Sequence, residues 1–145
     1  MKNAIWLGTL LALLALPLQA VAASVQATLY KNPHCTCCEK YVAYLRQEGF
    51  EIDVKTTNDL EGITLKAGVP EQLEGCHTMF VDGYVVVGHV AVDVVRKLLA
   101  ERPPLVGIAI PGMPTGVPGM EGPKEGPIPI YAVSQDKAPT VYAVQ

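Results

Sequence analysis

The chain has 145 residues, half of them hydrophobic, with a formal net charge of −3 and no block of basic residues. That length suits one small domain. The charge pattern offers no footprint for phosphates, which excludes nucleic acid as a partner.

The first element is a targeting segment. Met1-Lys2-Asn3 is a short positive region, Ile5 to Leu18 is almost wholly apolar, and Ala20-Val21-Ala22 is a small-residue cleavage box. This pattern predicts a secretory signal peptide over 1–22. It is not a membrane span, because the apolar core is short and no basic stop-transfer signal follows. Cleavage leaves 123 residues with a net charge of −4, exported to an oxidising compartment and not held at the membrane.

Ala27 to Lys31 then reads as a first strand, followed by a Pro33-His34 turn. Cys38, Tyr41, Val42 and Leu45 recur at i, i+3, i+4 and i+7, one face of a helix. Gly49 supplies its left-handed cap. Phe50 to Lys55 alternates apolar and polar residues, as a half-buried strand does. Asn58-Asp59-Leu60-Glu61 carries a capping box and starts a second helix, which Gly62 weakens and Gly68 ends. Val69 to Leu73 predicts a further short helical turn with Pro70 at its first position.

His77 to Val81 and Tyr84 to Val87 flank Asp82-Gly83, a strong hairpin signal. A third helix runs through Val92, Val95, Leu98 and Leu99 to the stop at Pro103-Pro104. Leu105 to Pro127 is rich in glycine and proline and has no periodicity, so it reads as a long loop. Its apolar residues, Ile108, Ile110, Met113, Val117 and Met120, need a surface to cover. The expectation is that it folds back over the cysteines and brings Met113 or Met120 towards them. Pro129 to Val133 and Thr140 to Val144 predict a terminal hairpin. The expected fold is α/β, a thioredoxin-like β-α-β-α-β-β-α unit over 23–104. A loop and hairpin extension, 105–145, is expected to pack on the same domain.

The chemistry is concentrated in Cys35-Thr36-Cys37-Cys38, on the strand-to-helix turn. The unpaired N–H groups and the positive dipole end there lower thiol pKa values. Four cysteines would by default make two structural disulfides, but three of them cluster and Cys76 alone lies elsewhere. Cys35 and Cys38 form a C-x-x-C pair, a redox motif on such a fold. The extra Cys37 disturbs that reading, since a third thiol invites the wrong disulfide. A soft-metal site gains from each added thiolate. In thioredoxin-like topology the residues before the third strand face the first helix N-terminus. Gly75-Cys76-His77 occupy that place, where thioredoxins are similar in having a cis-proline, so a fourth sulfur approaches the other three. Alternatively, Cys76 is a buried small hydrophobe.

Cu(I) is the softer ion, selected by thiolate and thioether, and crowded bridging thiolates suit one Cu(I) ion or several. Zinc, with its tetrahedral preference, remains an alternative. Met113 and Met120 are weaker ligand candidates, with gap-filling over the core as their bland reading. His34 and His77 flank the cysteines as direct or supporting ligands. Met79 reads as core, Tyr41 and Tyr44 as packing residues, and His89, at a strand end, as a surface or structural histidine.

With these residues in place the chain resembles the CopG-type family of exported copper-resistance proteins. The resemblance is carried by Tyr30-Lys31-Asn32-Pro33-His34-Cys35-Thr36-Cys37-Cys38, Gly75-Cys76-His77-Thr78 and Val81-Asp82-Gly83-Tyr84 with Gly88-His89-Val90. It continues in Gly107 to Pro114 and Gly119-Met120-Glu121. Many members have a small residue where His34 stands. The resemblance implies a thioredoxin-like fold, a periplasmic location, copper binding by the cysteines and a role in copper resistance. Exported copper-handling proteins are the implied partners, and interconversion of Cu(I) and Cu(II) the implied chemistry. Two readings compete with it: a thiol-disulfide oxidoreductase acting on exported proteins, and a structural module with inert disulfides.

Overall fold

The structure, a computed structural model, describes residues 24–135 and 137–145; the predicted signal peptide lies outside them. Strand β1 (Val25–Lys31) leads into α1 (Thr36–Gln47), which returns the chain to β2 (Phe50–Thr56), paired parallel to β1. The face of α1 that its spacing predicts, Cys38, Tyr41, Val42 and Leu45, is the face it buries. Gly49, at φ +87°, turns the chain out of the helix.

Helix α2 (Leu60–Lys66) begins at Asp59, whose carboxylate accepts the Gly62 N–H at 3.2 Å. Asp59→Ala is expected to cost about 1 kcal/mol, the usual worth of such a cap; urea unfolding checks it. Pro70 stands just before a 3-10 turn, Glu71–Leu73, rather than inside it.

β3 (His77–Val81) and β4 (Tyr84–Val87) form the predicted hairpin. Asp82 and Gly83 take φ +45° and +83°, the left-handed pair that a two-residue turn requires. Helix α3 (Val92–Glu101) ends at Arg102, just before the two prolines. The segment read as one long loop contains a short strand, β5 (Gly107–Ala109), parallel to β4. It lacks alternation because it is short and buried on both faces. Gly107 is required there, since a Cβ would overlap the Val85 carbonyl oxygen. β6 (Pro129–Val133) and β7 (Thr140–Val144) form the terminal hairpin.

All seven strands join one sheet in the order β2-β1-β3-β4-β5-β6-β7. Alternate residues divide between two cores. Leu29, Met79, Val86, Ile108 and Ile130 meet α1 and α3 on one face. Val85, Val87, Ala109 and Val133 meet Val69 and Leu73 on the other. Burial on both sides explains why β4 is apolar throughout. Among the described residues no helix is long and apolar enough to cross a membrane.

Candidate metal centre

Three chain segments meet at one end of the sheet. The first is the β1–α1 turn, where the Cys35 N–H bonds the Asn32 carbonyl at 3.2 Å. Lys31, nearly buried, ties the turn down with its ammonium: it reaches the Asn32 and Pro33 carbonyls at 3.3 and 3.4 Å and Glu39 at 3.3 Å. Cys35 is the N-cap of α1, with Cys37 and Cys38 in its first turn. Cys35 and Cys38 are joined as a disulfide, whereas Cys37 and Cys76 are free.

The second segment is Gly75-Cys76, ahead of β3. Gly75 passes so close to Gly88 that a Cβ would sit 3.2 Å from that residue's backbone. This close passage brings Cys76 to the helix start with no cis peptide bond among the described residues. The four sulfurs lie within 4.8 Å of one another. Cys37 Sγ is 3.4 Å from Cys35 Sγ, and Cys38 Sγ is 3.2 Å from the Cys76 carbonyl oxygen.

The third segment is the stretch after β5. The Gly112 N–H bonds the Glu74 carbonyl at 3.3 Å, and Gly119 lies flat on α1 against the Cys37 carbonyl and the Tyr41 backbone. Met113 is 59% exposed. It lines an open cleft of about 500 Å³ together with His34, Cys35, Glu74 and Cys76. Met120 packs against the main core instead. The segment thus crosses the cysteine end as expected, with Met113 alone of the two methionines lining the cleft.

His77 is fully buried, and its Nδ1 is 3.4 Å from Cys76 Sγ. Of the two readings open for His89, surface or structural, the structure excludes the surface one: it is buried, with Nε2 3.0 Å from Cys76 Sγ. Its Nδ1 is 2.6 Å from the Pro118 carbonyl oxygen. Tyr41 is more than a packing residue. Its ring stacks on His77 at 4.7 Å and approaches His89 at 4.9 Å, while its hydroxyl donates to the Val90 carbonyl at 2.7 Å. Hairpin register could have found His89. Thr78 pairs with Val87 across the Asp82-Gly83 turn, so continuing the same register sets Cys76 opposite His89.

Burial dominates the electrostatics. It pushes the Cys76 thiol up to about 12, with the nearby Cys37 adding to the rise. It pushes His77 down to about 3, helped by His89. His89 is lowered for the same reason, partly offset by its bond to Pro118. At neutral pH the site therefore presents protonated Cys76 and two neutral imidazoles. Glu74 is raised by desolvation and by Glu61 and Glu71, and its Oε1 is buried without a partner.

Such a set, four sulfurs and two neutral imidazoles at a helix N-terminus, defines a thiol-rich α/β protein equipped for soft-metal or disulfide chemistry. A family described as a protein of unknown function, DUF411, matches residues 73–120, the stretch from Leu73 through Cys76, His77 and His89 to Met120. No curated protein matches. Two solved structures, forms 2 and 1 of the copper resistance protein CopG, are similar at 31% identity and a TM-score of 0.78. They cover 85% of this chain and 99% and 98% of theirs. The chain belongs to the CopG family of copper resistance proteins.

Proposed function

We propose that this is a periplasmic copper-binding protein of copper resistance, holding Cu(I) on Cys35, Cys37, Cys38 and Cys76. The convergence of four sulfurs within 4.8 Å, from two segments far apart in sequence, carries the reading. A metal–sulfur bond is about 2.3 Å, so two sulfurs on one ion stand at most about 4.6 Å apart. Once the Cys35–Cys38 bond is reduced, small movements of the side chains would let the four thiolates share one ion or bridge several. Met113, at the mouth of the cleft, adds a thioether that does not form disulfides; His34, which lines the same cleft, and His77, buried beside Cys76, are weaker donors. Met120, held in the core, is the weakest of these candidates. The export signal over 1–22 and the copper-resistance relatives support a periplasmic address and exported copper-handling proteins as partners.

The fold that serves this function is thioredoxin-like over 23–104. β1-α1-β2 followed by β3-β4-α3, with β1 between β2 and β3, supports that reading, and 105–145 extends the same sheet. Interconversion of copper states follows from the disulfide pair. Two Cu(II) ions take one electron each from the Cys35 and Cys38 thiols. The products are two Cu(I) ions, one S–S bond and two protons. Reopening the bond takes two electrons and two protons from an exported dithiol.

The Cys35–Cys38 bond at a helix start also favours a second reading, a thiol-disulfide oxidoreductase. Cys37→Ser separates the two. Under the copper reading it weakens Cu(I) binding by about tenfold or more and leaves exchange with a peptide disulfide intact. Cu(I) affinity unchanged by this substitution would count against the four-sulfur site.

A further inference from the structure

His89 stands on the connection between β4 and α3, residues 88–91. Gly88, Val90 and Ala91 offer no polar side chain, and the His89 ring is engaged with Cys76 and Pro118. The backbone here is therefore held from outside. The Tyr41 hydroxyl donates to the Val90 carbonyl at 2.7 Å, and the Tyr44 hydroxyl accepts the Val92 N–H at 2.9 Å. Two further ties come from one side chain, Gln145, next to the end of β7. Its Oε1 accepts the Ala91 N–H at 2.7 Å, and its Nε2 donates to the His89 carbonyl at 3.2 Å. Ala91 is the N-cap of α3 and has no side chain able to cap it, so Gln145 does so from 54 residues away. Gln145 is itself fixed, because its N–H and carbonyl both pair with Ile128 at 3.0 Å.

We propose that Gln145 is a positioning residue of the cysteine site: it fixes the His89 backbone and through it aims the ring at Cys76. A ring needs two anchors to point one way, one on its main chain and one on the ring. Gln145 supplies the first at the His89 carbonyl. The Pro118 carbonyl supplies the second, accepting the Nδ1–H at 2.6 Å, since a carbonyl can only accept. With both in place Nε2 has one direction left, 3.0 Å from Cys76 Sγ. Only a primary amide can do what Gln145 does, because it carries an acceptor for Ala91 and a donor for His89 at once. Both anchors belong to the extension, 105–145, whereas His89 and Cys76 belong to the 23–104 unit. The extension therefore does more than lengthen the sheet: it sets the geometry beside the fourth sulfur.

Two substitutions separate positioning from capping. Gln145→Met keeps the length of the side chain and removes both hydrogen bonds. Gln145→Glu keeps an acceptor for the Ala91 N–H and loses the donor to the His89 carbonyl. Nitrogen-15 NMR of the metal-free protein, with the Cys35–Cys38 bond closed, follows the His89 Nδ1 proton. Both variants are expected to exchange that proton with water about tenfold faster or more. Asp59→Ala, which removes the cap of α2 instead, is expected to leave the exchange unchanged. Chelator competition is expected to show both Gln145 variants holding Cu(I) about tenfold more weakly, and this readout alone rests on the copper reading. Exchange or affinity unchanged in both variants, a Gln145→Glu protein that matches the unaltered one, or exchange that rises as much in Asp59→Ala would overturn the proposal. Should Gln145→Met fail to fold, Gln145→Glu decides. An unaltered protein that takes no Cu(I) would reject the copper reading and leave the exchange rates to decide the role of Gln145.

Discussion

Cys76→Ser is expected to reduce Cu(I) affinity by well over the ~10–100-fold that losing an outer-shell partner costs. Cys76 is the one sulfur supplied from outside the β1–α1 turn, and it lies within 4.8 Å of the other three. A hydroxyl there is a hard donor that Cu(I) does not favour. The pH dependence gives this prediction a second signature. With its pKa pushed up to about 12 by burial, the metal-free Cys76 thiol holds its proton at neutral pH. Copper must displace that proton, so affinity rises with pH, by about tenfold per pH unit for each proton released. The serine variant is expected to lose one proton from that slope. Competition with a Cu(I) chelator at several pH values measures both effects. An unchanged affinity would mean that Cys76 is a buried bystander.

Gly119→Val is expected to destabilise the fold by about 2–4 kcal/mol and to speed alkylation of Cys37. Gly119 has φ +81°, and a Cβ there would stand 2.8 Å from the Tyr41 backbone nitrogen and 3.1 Å from the Cys37 carbonyl oxygen. Both neighbours are helix backbone and cannot swing away. The segment would have to lift off α1, and the Pro118 carbonyl that orients His89 would go with it. Gly126→Val is the control. Gly126 has a similar φ of +87° but nothing within 4 Å of its Cβ position, so only the conformational cost of about 1–2 kcal/mol applies. Chemical denaturation of the two variants, with alkylation rates read by mass spectrometry, separates contact from conformation. Equal losses in the two would show that the close packing of the segment on α1 contributes nothing.

Much of the architecture was legible because local signals agreed with one another. The face of α1 containing Tyr41 and Leu45, the Gly49 cap, the Asp82-Gly83 turn and the terminal hairpin each have a pattern that one stretch of chain can carry. β5 had no such pattern. Three residues buried on both faces do not alternate, and Gly107 reads as a loop residue although β4 demands it for close approach. The site divides the same way. Softness and crowding pointed to Cys35, Cys37 and Cys38. Cys76 required an argument from topology, which the geometry of the four sulfurs agrees with. His89 was left as a surface or structural histidine, and not placed at the sulfurs, because a histidine at a strand end is judged by its neighbours in sequence. Its real neighbours, Cys76 across the hairpin and Pro118 from the distant segment, are set by register and loop path. Tyr41 was read as packing for a similar reason. Its helical spacing accounts for its burial and says nothing of the two imidazoles it touches.

An anaerobic Cu(I) titration of the fully reduced protein, followed by native mass spectrometry, tests the central claim most directly. The account predicts that the native mass rises by one or more copper ions that resist a competing chelator, and that each single cysteine-to-serine substitution lowers the amount retained. A reduced protein with four free thiols that stays metal-free under these conditions, or that retains the same copper without Cys37 or Cys76, would contradict it.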